Sequence, residues 1–90
     1  MVEKIVVVNN VRGIHLRPSG DITACLRNYQ GKAYVIAPNG RKAEITASPL
    51  SVVGLALKHG DVLTVQVDGE NAEAKLSELC ELFSKCYDYS

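Results

Sequence analysis

Pro38-Asn39-Gly40 stands between two strand-like runs, Ala33–Ala37 and Arg41–Thr46, and no other feature restricts the fold of this chain as strongly. Asn-Gly between two such runs tolerates the positive φ of a tight turn, so the runs are expected to pair as an antiparallel hairpin. The segments around it supply further layers. Lys4–Val8 is β-branched and continuous, which suits a central strand covered on both sides. After a polar loop, Asn9–Gly13, a helical stripe of Leu16, Ile22, Leu26 and Tyr29 runs to a stop at Gly31. Ser48-Pro49 marks a second helix start, with Ser able to cap and Pro preorganised for the first helical position; this helix extends to about Leu57, with Gly60 beyond it. Asp61–Val67 alternates as a fourth strand and closes at Asp68-Gly69. Ala72, Leu76, Leu79, Phe83 and Cys86 then repeat at helical spacing. The order β-α-β-β-α-β-α describes an α+β fold: an open-faced two-layer sandwich, with a four-stranded antiparallel sheet, three helices on one face and water on the other.

Ninety residues, 47% of them hydrophobic, suffice for one domain over residues 1–90 and not for two. Ten basic and ten acidic residues leave no net charge, which argues against a nucleic-acid partner, whose binders carry a basic face. One Phe, four Tyr and no Trp make a base-stacking surface a poor reading. Cys25, Cys80 and Cys86 lack the spacing of a disulfide framework or a metal site; at helical positions they read as small core residues in a reducing compartment. The longest apolar run near the N-terminus is Ile5–Val8, far short of the ~20 residues of a membrane span, and no secretory leader fits. A soluble, cytoplasmic protein is expected, with no bound metal or cofactor.

The segment that carries chemistry is Gly13-Ile14-His15-Leu16-Arg17-Pro18. With His15 at the helix cap, the amides of Leu16 and Arg17 have no intrahelical partners and sit at the positive end of the helix dipole. Such a terminus favours anions. Pro18 lacks an N–H but loses nothing in a first turn, where donors are orphans anyway. A neutral imidazole can attack phosphorus, and an unperturbed histidine titrating near ~6.5 is substantially neutral at physiological pH. The negative charge of the N-phosphoryl product would meet the amides and the Arg17 guanidinium. Neither a glycine-rich nucleotide cradle nor a magnesium-binding carboxylate set accompanies the histidine, so a carrier fits better than a kinase. A histidine that merely caps the helix is the alternative.

Gly13-Ile14-His15-Leu16-Arg17-Pro18, followed in order by Pro38-Asn39-Gly40, Ser48, Leu55-Ala56-Leu57-Lys58-His59-Gly60 and Val67-Asp68-Gly69-Glu70, resembles the HPr family. These are the histidine-containing phosphocarriers of the bacterial sugar phosphotransferase system. The resemblance spans essentially the whole chain. It implies that His15 is phosphorylated on Nδ1 by phospho-enzyme I, whose own phosphoryl group comes from phosphoenolpyruvate, and that His15 passes it to a histidine of an enzyme IIA domain. It further implies that Arg17 stabilises the phosphoryl charge, that the Leu16 amide faces it, and that Pro18 shapes the helix start. The family fold has the same element order. The protein would then be a monomeric carrier rather than an enzyme. Its docking rim is expected around Leu16, Leu50 and Val53, with Arg17 and Arg27 meeting acidic partners.

Ser48 occupies the position at which many relatives are phosphorylated by a dedicated ATP-dependent HPr kinase/phosphorylase. A phosphate there would lie at a helix N-terminus, where its charge is favoured. The plain alternative is that Ser48 only caps the helix; Ser51 would lie within it. Three positions depart from the family pattern: Leu16 is larger than the usual residue after the histidine, Ser19-Gly20 replaces small helix formers, and Pro49 replaces a bulky apolar docking residue. His59 reads as a surface residue at a helix C-terminus. The second functional reading is therefore a regulatory binding module, in which phosphorylation of Ser48 selects a transcriptional regulator or enzyme. An RNA-binding module with a capping histidine is a third, disfavoured by neutral charge.

Overall fold

Side-chain alternation decides which way the sheet faces. In the computed structural model, which describes residues 1–14, 16–46 and 49–86, the strands are β1 (Val2–Val7), β2 (Gly31–Ile36), β3 (Lys42–Glu44) and β4 (Val62–Gly69). They form one antiparallel sheet in the order β1-β4-β2-β3. The register sets Ala33 against Val67, Val35 against Val65 and Val6 against Leu63, so these side chains share one face. Ala33, Val35, Leu63, Val65 and Val67 are all buried there. Helices α1 (Leu16–Cys25), α2 (Pro49–Val53) and α3 (Ala72–Ser84) complete the layer, contributing Ile22, Val52, Leu76, Leu79 and Phe83 to one continuous apolar cluster. The opposite face carries Glu3, Ile5, Tyr34, Thr64 and Gln66. Here Gln66 Nε2 donates to Glu3 Oε1 at 2.8 Å, and the Lys42 ammonium stands 4.7 Å from the Tyr34 ring centroid. The open-faced sandwich expected from the element order is the observed fold.

Several local expectations require correction. β1 is an edge strand and not a central one: Ile5 is 67% exposed and Val7 41%. A β-branched run reports strand propensity, whereas its place in the sheet depends on pairing with residues some sixty positions away. In the hairpin, Gly40 alone among the turn residues has positive φ, at 88°. The loop is a three-residue one, closed by Ala37 N–H to Arg41 O at 2.8 Å, and Asn39 contributes its Oδ1 as acceptor for the Arg41 amide at 3.0 Å.

The helix ends also differ. α1 stops at Cys25 and unwinds through turns to Asn28, at φ 62°, while Gly31 opens β2. Gly31 faces Gly69 across β2 and β4, where a Cβ on Gly31 would lie 2.7 Å from the Gly69 Cα. Backbone crowding, not helix termination, excludes a side chain there. α2 stops at Val53, short of Leu57, because Ala56 turns the chain at φ 52°; Leu55 and Leu57 are nonetheless buried. The exposed His59 consequently lies well past the helix end. Of the three cysteines, only Cys80 is buried; Cys25 is half-buried, and Cys86 is exposed beyond α3 with its thiol 3.5 Å from the Asn9 carbonyl. Among the described residues no helix is long and apolar enough to cross a membrane.

Candidate functional site

The approach to α1 is built from two laced segments. Val8 continues β1, donating its amide to Asp61 O at 2.9 Å and accepting from Gly60 N–H at 2.8 Å. Residues 10–13 then form a turn closed twice. Gly13 N–H donates to Asn10 O at 2.9 Å, and the buried Asn10 side chain donates from Nδ2 to Gly13 O at 2.8 Å. Gly13 has φ 72°, and a Cβ built on it would run into the Leu57 carbonyl oxygen. Ile14, also buried, donates its amide to the same Leu57 carbonyl at 3.0 Å. Gly13 is thus a packed position that only glycine fits. The chain enters α1 two residues after this clamp.

His15, the central residue of the sequence-derived site, lies outside the described residues, as does Ser48. The structure defines what flanks them. α1 begins at Leu16, and α2 begins at Pro49. Arg17 is exposed in the first turn of α1, whereas Pro18 and Ser19 are buried and Thr23 Oγ1 donates to Ser19 O at 2.8 Å. The first turn of α1 holds no carboxylate, so no acidic side chain there competes for the positive end of the helix. The first turn of α1 thus carries an exposed guanidinium, Arg17, at the end of the helix whose dipole favours anions.

The structure does not bring every expected site residue together. Arg27 lies beyond the C-terminal end of α1, about 15 Å along the helix axis from its start. There it lines a depression of about 440 Å³ with Tyr29, Asn71 and Lys75. Lys75 is central to that end: its Nζ donates to the Cys25 carbonyl at 2.8 Å, lies 3.3 Å from Glu78 Oε2, and stands 5.5 Å from the Tyr29 ring centroid. The Cys25 thiol donates to Glu78 Oε2 at 3.3 Å. Burial, reinforced by the Glu78 carboxylate, pushes the Cys25 thiol above its ordinary range. The hydrogen bond from that thiol, followed by the one from Lys75, holds the Glu78 carboxyl below its own. Burial likewise raises Cys80. Sequence reasoning missed Asn10 and Lys75. Asn10 in a polar stretch reads as surface, and only the tertiary fold reveals that its side chain is buried.

This fold is shared with known histidine phosphocarriers. It superimposes on the HPr of Bacillus anthracis str. Ames with a TM-score of 0.83 at 22% identity, covering 92% of this chain and 96% of that one. For a histidine-containing phosphocarrier protein of Mycoplasma the TM-score is 0.80 at 21% identity, with 90% of each chain covered. In sequence, the HPr of Xylella fastidiosa (strain 9a5c) is 27% identical over 88 residues, 98% of this chain and 97% of its own. The HPr of Mycoplasma genitalium is 26% identical over 73 residues, 81% of this chain and 82% of its own. The family model described as "PTS HPr component phosphorylation site" matches residues 2–85, and the chain belongs to this family, the HPr phosphocarriers of the phosphotransferase system.

Proposed function

We propose that the chain carries a phosphoryl group on His15, taken from phospho-enzyme I and ultimately from phosphoenolpyruvate, and delivers it to a histidine of an enzyme IIA domain. In the first exchange the lone pair of His15 Nδ1 attacks the phosphorus of the donor's phosphohistidine. The donor N–P bond breaks as the new one forms, and its electron pair remains on the donor imidazole. The second exchange repeats this step with His15 as donor, so the carrier is regenerated without water, metal or nucleotide entering the balance. Arg17 and the Leu16 and Arg17 amides offset the charge of the transferred group. Leu16 and Pro18 start the helix that aims those amides.

The observation that carries this reading is the Gly-apolar-His-x-Arg-Pro motif in a member of this family, whose Gly13 and Ile14 are held against Asn10 and Leu57 and whose Leu16, Arg17 and Pro18 open α1. On the same reading the 90 residues act as a single-domain, monomeric cytoplasmic carrier, with no catalytic turnover of its own, no nucleic-acid partner and no membrane insertion. Phosphoenolpyruvate and enzyme I should add one acid-labile phosphoryl group, and His15→Ala should abolish it. Undiminished uptake by His15→Ala would reject the site.

A regulatory role at Ser48 is the second reading, supported by its place in the sequence directly before Pro49, the first residue of α2. An HPr kinase/phosphorylase with ATP should then add an acid-stable phosphate that Ser48→Ala does not accept, creating a form read by a transcriptional regulator. No modification by a kinase active on other HPr proteins would leave Ser48 as a cap alone.

A further inference from the structure

We infer that Arg12 is a steering residue for phosphoryl exchange, a contact for carboxylates on the protein partner that faces His15; the inference rests on the carrier reading above. The chain is neutral overall, yet residues 9–20 contain Arg12, His15 and Arg17 and no Asp or Glu. This stretch of sequence is therefore cationic up to Asp21. The turn that presents Arg12 is held at its base by the two Asn10–Gly13 hydrogen bonds and by the Ile14 amide on Leu57 O. Its tip is free of fold duties. Val11 is 81% exposed, and the exposed Arg12 side chain makes no hydrogen bond or ion pair among the described residues.

A guanidinium without an internal partner, displayed on a rigid turn, is pre-ordered for an external anion and contributes little to folding. Two residues, Gly13 and Ile14, separate it from His15, three steps of chain or at most about 11 Å. A carboxylate beside the active group of a docked partner thus falls within its reach. Charges at the rim of such an interface act chiefly on association rate and on its salt dependence.

The test measures the second-order rate constant for phosphorylation by enzyme I across ionic strength, with the hydrolysis rate of the isolated phosphoprotein as a second readout. At low salt Arg12→Ala should slow phosphorylation about threefold to tenfold and Arg12→Glu further, while Arg12→Lys retains most of the parent rate. The differences should shrink at about 0.5 M salt, and hydrolysis should be equal in all four proteins. An Arg12→Glu protein as fast as the parent at low salt overturns the inference and leaves the carrier reading intact. Slowing that persists at high salt, or hydrolysis that changes in step, also overturns it, because Arg12 would then act on the fold or on the phosphoryl group itself. A parent that takes no phosphoryl group on His15 overturns both.

Discussion

Gly13 shows how one backbone position can govern a site without contributing a functional group. Its φ of 72° and the Leu57 carbonyl against its α-carbon leave no space for a methyl group. Gly13→Ala combines left-handed strain with a backbone clash and should cost about 2 kcal/mol or more, read as a lowered midpoint in chemical denaturation. Under conditions where the variant stays folded, phosphorylation by enzyme I should also slow, since residues 13–14 lead directly into position 15. The glycine was legible in the sequence as part of a motif, but its reason was not. The group it would strike belongs to Leu57, forty-four residues away. Asn10 is similar: nothing nearby in sequence distinguishes it from its exposed neighbour Asn9.

Among the elements, α1 is the least optimised by its own composition. Gly20 sits inside it with open space around the position of a Cβ, so Gly20→Ala should stabilise the protein by about 0.5–1 kcal/mol in thermal or chemical melts. No basic residue occupies the last turn of α1, yet its C-terminal carbonyl is met by a cation all the same, Lys75 from α3. Lys75→Met should cost about 1–2 kcal/mol by removing that charged hydrogen bond and the contact with the Tyr29 ring. The linked Glu78 provides a pH test. Its folded pKa lies below the unfolded one, so its contribution is complete above the unfolded carboxylate value, near ~4.3, and is lost as pH falls through the lower folded value. Glu78→Gln should therefore flatten the acid limb of the stability–pH curve and leave the neutral region nearly level.

At the scale of the molecule, the one-sided sheet predicts sharply unequal costs for apolar substitutions. Phe83 is fully buried beneath the sheet, and Phe83→Ala should cost about 3–5 kcal/mol. Ile5, a comparable hydrophobe on the open face, is 67% exposed, and Ile5→Thr should change stability by no more than about 0.5 kcal/mol. Equal losses in urea denaturation would mean that the outer face is covered. From sequence alone, Lys4–Val8 suggested such a cover, because a run of β-branched residues carries no mark of which side is wet.

Element identity and order, the hairpin position, the helix start after residue 15 and the chemistry of the motif are local properties. They rest on periodicity, turn residues and side-chain types within a few positions, and the chain alone determined them. Sheet order, the edge position of β1, the early ends of α1 and α2, the burial of Asn10 and the reach of Lys75 to Cys25 were settled only in three dimensions. Each depends on a partner distant in sequence, or on a non-glycine residue such as Asn28 or Ala56 held in the left-handed region by its surroundings. Short-range preference can state what a segment tends to form, while packing decides where it stops and which of its atoms remain available for chemistry.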